Sequence, residues 1–201
     1  MIDCMKLVFS AAGCVCLCLI LLSGCASQPP ALGKFGSDHA HADFKVYIDS
    51  VAYNFSQEKY MSPSVNVNGV EDCGSDSAVM AHLHNGDGNL AHKHATGVTW
   101  VYFFSTLGMN MTDTCFTLDN GTIYCNNNRA QWAFYVNGTR TQSLPEQEIR
   151  GQDRALFTYG ATDAQAQQQM GTVTYEAVNE DIGDICSGSA PAVKNKTNSS
   201  A

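Results

Sequence analysis

The chain carries no basic cluster. Lys and Arg number 11 against 19 Asp and Glu, a formal net charge of −8. The charge stays the same when residues 1–25 are removed, because Asp3 and Lys6 go together. That balance argues against nucleic acid and against attraction to anionic lipid; it favours solubility and, mildly, cations. No C-x-x-C spacing occurs, which removes the usual signature of a cysteine zinc site. No H-E-x-x-H helix motif occurs, so the common metalloprotease arrangement is missing. No repeat at solenoid period is visible. In 201 residues of ordinary apolar content (44%) these absences leave one packed domain with tails.

What recurs is histidine, always paired. The six histidines form three His-x-His pairs, at His39 and His41, His82 and His84, and His92 and His94. A β-strand sends alternate side chains to one face, so each pair presents both imidazoles together. Between the second and third pairs lies NGDGN (85–89), a glycine-rich turn that closes hairpins. Pairing about Asp87 sets His82 opposite His92, with His84 and His94 on the same face, and four imidazoles converge. His39, His41 and Asp43 at i, i+2 and i+4 repeat the logic with two nitrogens and one oxygen. They would complete that site or form a second, a capacity of one or two ions. Asp43 and Asp87 are also candidates to orient ligand imidazoles from behind.

Neutral imidazole is a ligand for zinc and suits copper and nickel. A lone histidine is ordinarily a surface or hydrogen-bonded residue, and a single His-x-His is ordinarily accidental. Six of six in pairs, two of them across a hairpin, favour a metal. Asp87 would otherwise only cap its turn, Gly86 and Gly88 are turn glycines, and Met109, Met111, Trp100, Phe103 and Phe104 are read as core. Clustered histidines protonated below about pH 6 would also repel one another, so a pH switch is an alternative.

The N-terminus reads as a targeting segment. MIDCMK precedes the apolar run LVFSAAGCVCLCLILL, and LSGC follows at Leu22–Cys25. The segment resembles a lipoprotein signal peptide. The resemblance implies cleavage before Cys25 and lipidation of that cysteine; an uncleaved membrane anchor is the alternative. Both readings put the mature domain outside the cytosol, tied to a membrane. Beyond Cys25 four cysteines remain, an even number that suggests two disulfides in an exported domain. Cys115 and Cys125 flank FTLDNGTIY symmetrically, so a hairpin turning at Asp119–Gly121 sets them opposite each other. Cys73 and Cys186 are then the remaining pair. Zinc ligation by the four is the competitor.

The chain therefore divides into a signal peptide (1–24), a lipidated cysteine and tether (25–37), one metal-binding domain (38–186) and a disordered tail (187–201). Six Asn-x-Ser/Thr acceptors, at Asn54, Asn110, Asn120, Asn137, Asn195 and Asn198, permit glycosylation of an exported protein. Alternation predicts a first hairpin, Phe44–Ile48 with Val51–Phe55, and a histidine hairpin, Val79–His84 with Leu90–His94. GVTWVYFFSTLGM predicts a helix with apolar residues at Val98, Val101, Phe104 and Leu107, capped by Thr96 or Thr99 and stopped at Gly108. Strands are expected at Trp132–Val136, at Ile149 paired with Ala155–Tyr159, and at Thr172–Val178, with a helix at Asp163–Met170.

The run WAFYVNG…EIRGQDRALFTYG is similar to the last strands of β-grasp domains of the transcobalamin-C-terminal type. The order β-β-α-β-β matches that fold. HAHADFKVYI, HLHNGDGN and HKHATGVTW together resemble an uncharacterised family of exported archaeal and bacterial proteins. The resemblance implies an α+β fold: a β-grasp-like mixed sheet with one packed helix and an inserted histidine hairpin. It implies no activity.

The leading expectation is a lipid-anchored protein that captures or carries Zn²⁺ or Cu²⁺, with no nucleic-acid partner and no identified protein partner. Affinity order favours copper, while availability favours zinc. The alternative is a metalloenzyme, in which three histidines leave an open position for water. HLHNGDG resembles the histidine pair of copper–zinc superoxide dismutase. The rest of that enzyme's pattern is absent, and a middle helix does not suit its sandwich. A structural module for adhesion or glycan contact explains the tether and the sequons but not the histidines.

Overall fold

A computed structural model describes residues 30–62, 66–67, 70–71 and 80–183. Cys25, Cys73, Cys186, Asn195, Asn198 and the N-terminal apolar run lie outside them. Among the described residues no helix is long and apolar enough to cross a membrane.

The fold is α+β and is built on one mixed sheet. Its long central strand is β1 (Ala40–Ile48), which turns back into the short β2 (Val51–Ala52). Asp49 and Ser50 take positive φ (47° and 69°) at that turn, the backbone a two-residue hairpin requires to match strand twist. A pair of two-residue strands follows, β3 (Asn66–Val67) and β4 (Val70–Glu71), and then the histidine hairpin, β5 (Ala81–His82) with β6 (Leu90–Lys93). Helix α1 (Trp100–Thr106) leads to a small three-stranded sheet of β7 (Asn110–Met111), β8 (Cys115–Thr117) and β9 (Ile123–Cys125). The chain returns to the main sheet in β10 (Trp132–Val136), β11 (Thr139–Thr141) and β12 (Arg154–Tyr159). It ends in α2 (Asp163–Met170) and α3 (Ala177–Gly183).

Spatial order is β11-β10-β12-β1-β6-β5, with β2 also on β1. The first and last long strands, β1 and β12, run parallel at the centre, and the other pairs are antiparallel. This is the mixed sheet of an α+β fold, as expected, with the histidine hairpin on the far side of β1 from β12.

Period-two alternation sorts the faces. Ala42, Phe44 and Val46 of β1 join Ala155 and Phe157 of β12, Phe134 of β10 and the α1 residues Trp100, Phe103 and Phe104 in the main core. Phe44 meets Phe103 edge-on at 5.1 Å, and Phe157 meets Phe104 the same way at 5.2 Å, the geometry aromatic quadrupoles prefer. The intervening residues face the other way. Leu156 and Tyr135 pack there with Ala166 and Met170 of α2, Tyr47 sits beside them, and His41 and Asp43 lie further along the same face.

Helix α1 begins where expected: the Thr99 hydroxyl accepts from the Tyr102 amide (3.2 Å), and Gly108 takes φ 74° beyond its end. Its buried stripe is Trp100, Phe103, Phe104 and Leu107, whereas Val101 is only partly buried. Met109 and Met111 are core. Thr162 and Gln165 close a capping box on α2. Cys115 and Cys125 stand directly opposite across β8 and β9 (Cα–Cα 4.0 Å) and are bonded.

Two expected elements are different. Ile149 does not pair with Ala155–Tyr159; its amide donates to the Val98 carbonyl (2.8 Å), because β12 is already taken on both edges by β1 and β10. Thr172–Val178 is not a strand. The Arg154 guanidinium takes the carbonyls of Met170, Val173 and Thr174, and the Asp43 carboxylate takes the amides of Glu176 and Ala177. With its backbone groups satisfied by side chains, the segment needs no ladder and enters α3 instead.

Candidate metal centre

The site is made where β1, β6 and β5 lie side by side. His41 is paired with His92 across β1 and β6, and His92 with His82 across β6 and β5. One row of the sheet therefore holds three histidines abreast. His39, His84 and His94 flank that row two residues along.

The histidine loop reverses through Asn85 (φ 58°) and Gly86 (φ 74°), with the Asp87 amide donating to the His84 carbonyl (3.0 Å). The Asp87 carboxylate accepts from the Asn89 amide (2.8 Å) and so shapes the return. The reversal thus lies just ahead of Asp87, while the strand register is the one centred on it. Gly88 serves close approach, since a Cβ there would lie 2.3 Å from the Ser56 nitrogen.

His92 is the hub. Its ring centroid lies 4.3 Å from those of His41 and His94, 4.5 Å from His39, and 4.9 Å from His82 and His84. The other five rings form a loop round it. Two sets of three present ligand atoms all within 4.8 Å of one another: His39, His92 and His94, and His41, His84 and His92. His82 bridges the far side of the loop, 5.1 Å from His94 and 5.6 Å from His84.

The rings are desolvated. His41, His84, His92 and His94 are buried, and His82 is largely so. Burial first, and then the repulsion of neighbouring imidazoles, pushes His82 down to about 3 and His92 lower still. At neutral pH both rings are therefore uncharged, the form that binds metal. His92 Nε2 faces His39 Nε2, while its buried Nδ1 has no hydrogen-bond partner among the described residues. A buried polar atom with no partner is costly, and a cation would satisfy it.

Asp43 stands on the same face as His41, but both its oxygens are engaged. Oδ1 accepts from the Glu176 amide (2.9 Å) and the Thr174 hydroxyl, and Oδ2 from the Ala177 amide (3.1 Å). It belongs to neither set of three and holds the N-terminus of α3. Of the seven residues the sequence puts forward as ligands, the structure brings the six imidazoles together and leaves Asp43 beside them.

Four features of the surroundings carry no sequence signal. Phe35 stacks on His94 at 4.8 Å, and the Gly36 amide donates to the His94 carbonyl (2.7 Å), so the last residues before β1 lie along the site. A cavity of about 90 Å³ opens at His84, lined by Asn85, Asp87, Leu90 and Glu180. Glu176 hydrogen-bonds Asp87. That bond, with burial and the charges of Asp87, Asp43 and Glu180, pushes its carboxyl up to about 7. On the opposite face of β6 the buried Lys93 ammonium is neutralised by Asp38 (2.6 Å) and Glu148 (3.0 Å).

This donor set is all nitrogen and closely spaced, a combination that suits Zn²⁺ or Cu²⁺ rather than Mg²⁺ or Ca²⁺. No family profile, curated protein or solved structure matches the chain.

Proposed function

We propose that this chain is a metal-binding protein that captures or carries Zn²⁺ or Cu²⁺ on the outer side of a membrane, to which a lipid on Cys25 ties it. One observation carries the metal reading: all six histidines of the chain meet round the single ring of His92. Chance placement does not gather every imidazole of a chain into one cluster, four of them buried, and imidazole nitrogen suits a borderline cation. The placement in the envelope is supported by the Leu22–Cys25 sequence and by the Cys115–Cys125 bond, which suits an oxidising compartment.

The test is the metal content of protein purified without added metal, followed by Zn²⁺ and Cu²⁺ titration of chelator-stripped protein. Stoichiometric binding is expected, lost in the combined His82→Ala and His92→Ala variant. Undiminished affinity in that variant refutes the site. Mass spectrometry of the membrane fraction should find Cys25 as the lipidated N-terminal residue.

A second reading, a metalloenzyme, is favoured by the cavity at His84, where the Asp87 and Glu180 carboxylates adjoin a candidate ligand. An exchangeable water on the bound ion would favour it. An ion held by four histidines with no water excludes simple water activation.

A further inference from the structure

The two sets of three are not independent, because both contain His92. An imidazole has two ring nitrogens that point in different directions in its plane, and an ion bound to one lies about 2 Å out along that direction. One ion therefore cannot sit at both. His92 Nε2 is turned to His39, a member of the first set, and Nδ1 is buried without a hydrogen-bond partner among the described residues. From this arrangement we infer that the cluster is a two-ion centre in which the His92 ring bridges the metals. One ion is held by His39, His94 and His92 Nε2, and the other by His41, His84 and His92 Nδ1.

The surroundings fit two ions. His82 lies within 5.6 Å of both His84 and His94, so it is placed to give a fourth nitrogen to either ion. The ring proton of His92 leaves to bulk water as its second nitrogen takes a metal, so the bridge is an imidazolate and one charge is offset within the ligand set. Buried divalent charges need such compensation, and no carboxylate belongs to either set. The Asp87 and Glu180 carboxylates beside His84 offset charge from just outside.

This inference rests on the metal-binding reading and can fail separately from it. Full-length, chelator-stripped protein is titrated with Cu²⁺ alone, bound ions are counted after gel filtration, and electron paramagnetic resonance is recorded. Two ions per chain are expected, with spins coupled through the shared ring, so that the integrated signal at low temperature falls well below two per chain. The pair His39→Ala with His94→Ala, and separately His41→Ala with His84→Ala, should each retain one ion with its full, uncoupled signal. His92→Ala should abolish coupling; if that variant misfolds by circular dichroism, the two pair variants decide. A wild-type limit of one ion overturns the two-ion centre but leaves metal binding standing. So do two ions with isolated spins, more than two ions, or coupling that survives in folded His92→Ala. No bound ion at all overturns both.

Discussion

Acidification of the metal-free protein should destabilise it by an amount the histidine cluster sets. In the fold His82 is held down at about 3 and His92 lower still, while an exposed histidine titrates near 6.5. Both folded values are depressed, so unfolding takes up protons whenever the pH is below the unfolded value. The stability that these two rings contribute is complete above pH 6.5 and falls as the pH drops below it. His82 stops contributing to the fall once the pH passes about 3, where the folded ring also charges. At pH 5, about 1.5 pH units below the unfolded value, the loss is about 2 kcal/mol per ring, or about 4 kcal/mol for the two. Against a total of about 5–15 kcal/mol for a domain this is a large fraction. Urea unfolding of chelator-stripped protein, followed by circular dichroism between pH 7.5 and 5, measures it directly. His82→Ala should remove about half of the pH dependence. A midpoint that does not move over that range would refute the argument that these rings are buried and neutral.

Other substitutions separate the roles of the neighbours. Asp43→Ala should cost about 2–3 kcal/mol, because a buried carboxylate that accepts two amides and a hydroxyl is removed. Amide exchange at Glu176 and Ala177 should accelerate while metal stoichiometry is unchanged; loss of a bound ion would instead make Asp43 a ligand. Replacing Cys115 and Cys125 together by Ala should cost about 2–3 kcal/mol in the chain-entropy model, given the separation of 10 residues. Metal binding should survive, since that hairpin lies in the other sheet; calorimetry checks both. Phe35→Ala removes the ring stacked on His94 and should speed metal release to a chelator several-fold, read by stopped flow. An unchanged rate would mean that Phe35 does not cover the site.

The parts of the fold fixed by local pattern were legible in the chain. Alternation and the Asp49-Ser50 and Asn137-Gly138 turns specify hairpins, because strand twist admits few two-residue reversals. The distance from His82 to His92 specifies their pairing, and the flanks of FTLDNGTIY specify the Cys115–Cys125 bond. Thr99 and Thr162 mark the starts of two helices for the same local reason, a side-chain oxygen placed to accept an orphan amide.

Tertiary structure decided what depends on partners distant in sequence. Thr172–Val178 has the composition of a strand, yet Arg154 and Asp43 hold its backbone groups, and neither is near it in the chain. Asp43 shares the face of His41, as its spacing requires, but the arrival of α3 takes up its oxygens. Six paired histidines were visible by inspection, with their capacity for a metal. That β1 would lie against β6, so that His41 meets His92 and one ring becomes the hub of all the others, is a matter of sheet order. Period and spacing determine which face a side chain takes; only the packing of strands determines which faces meet.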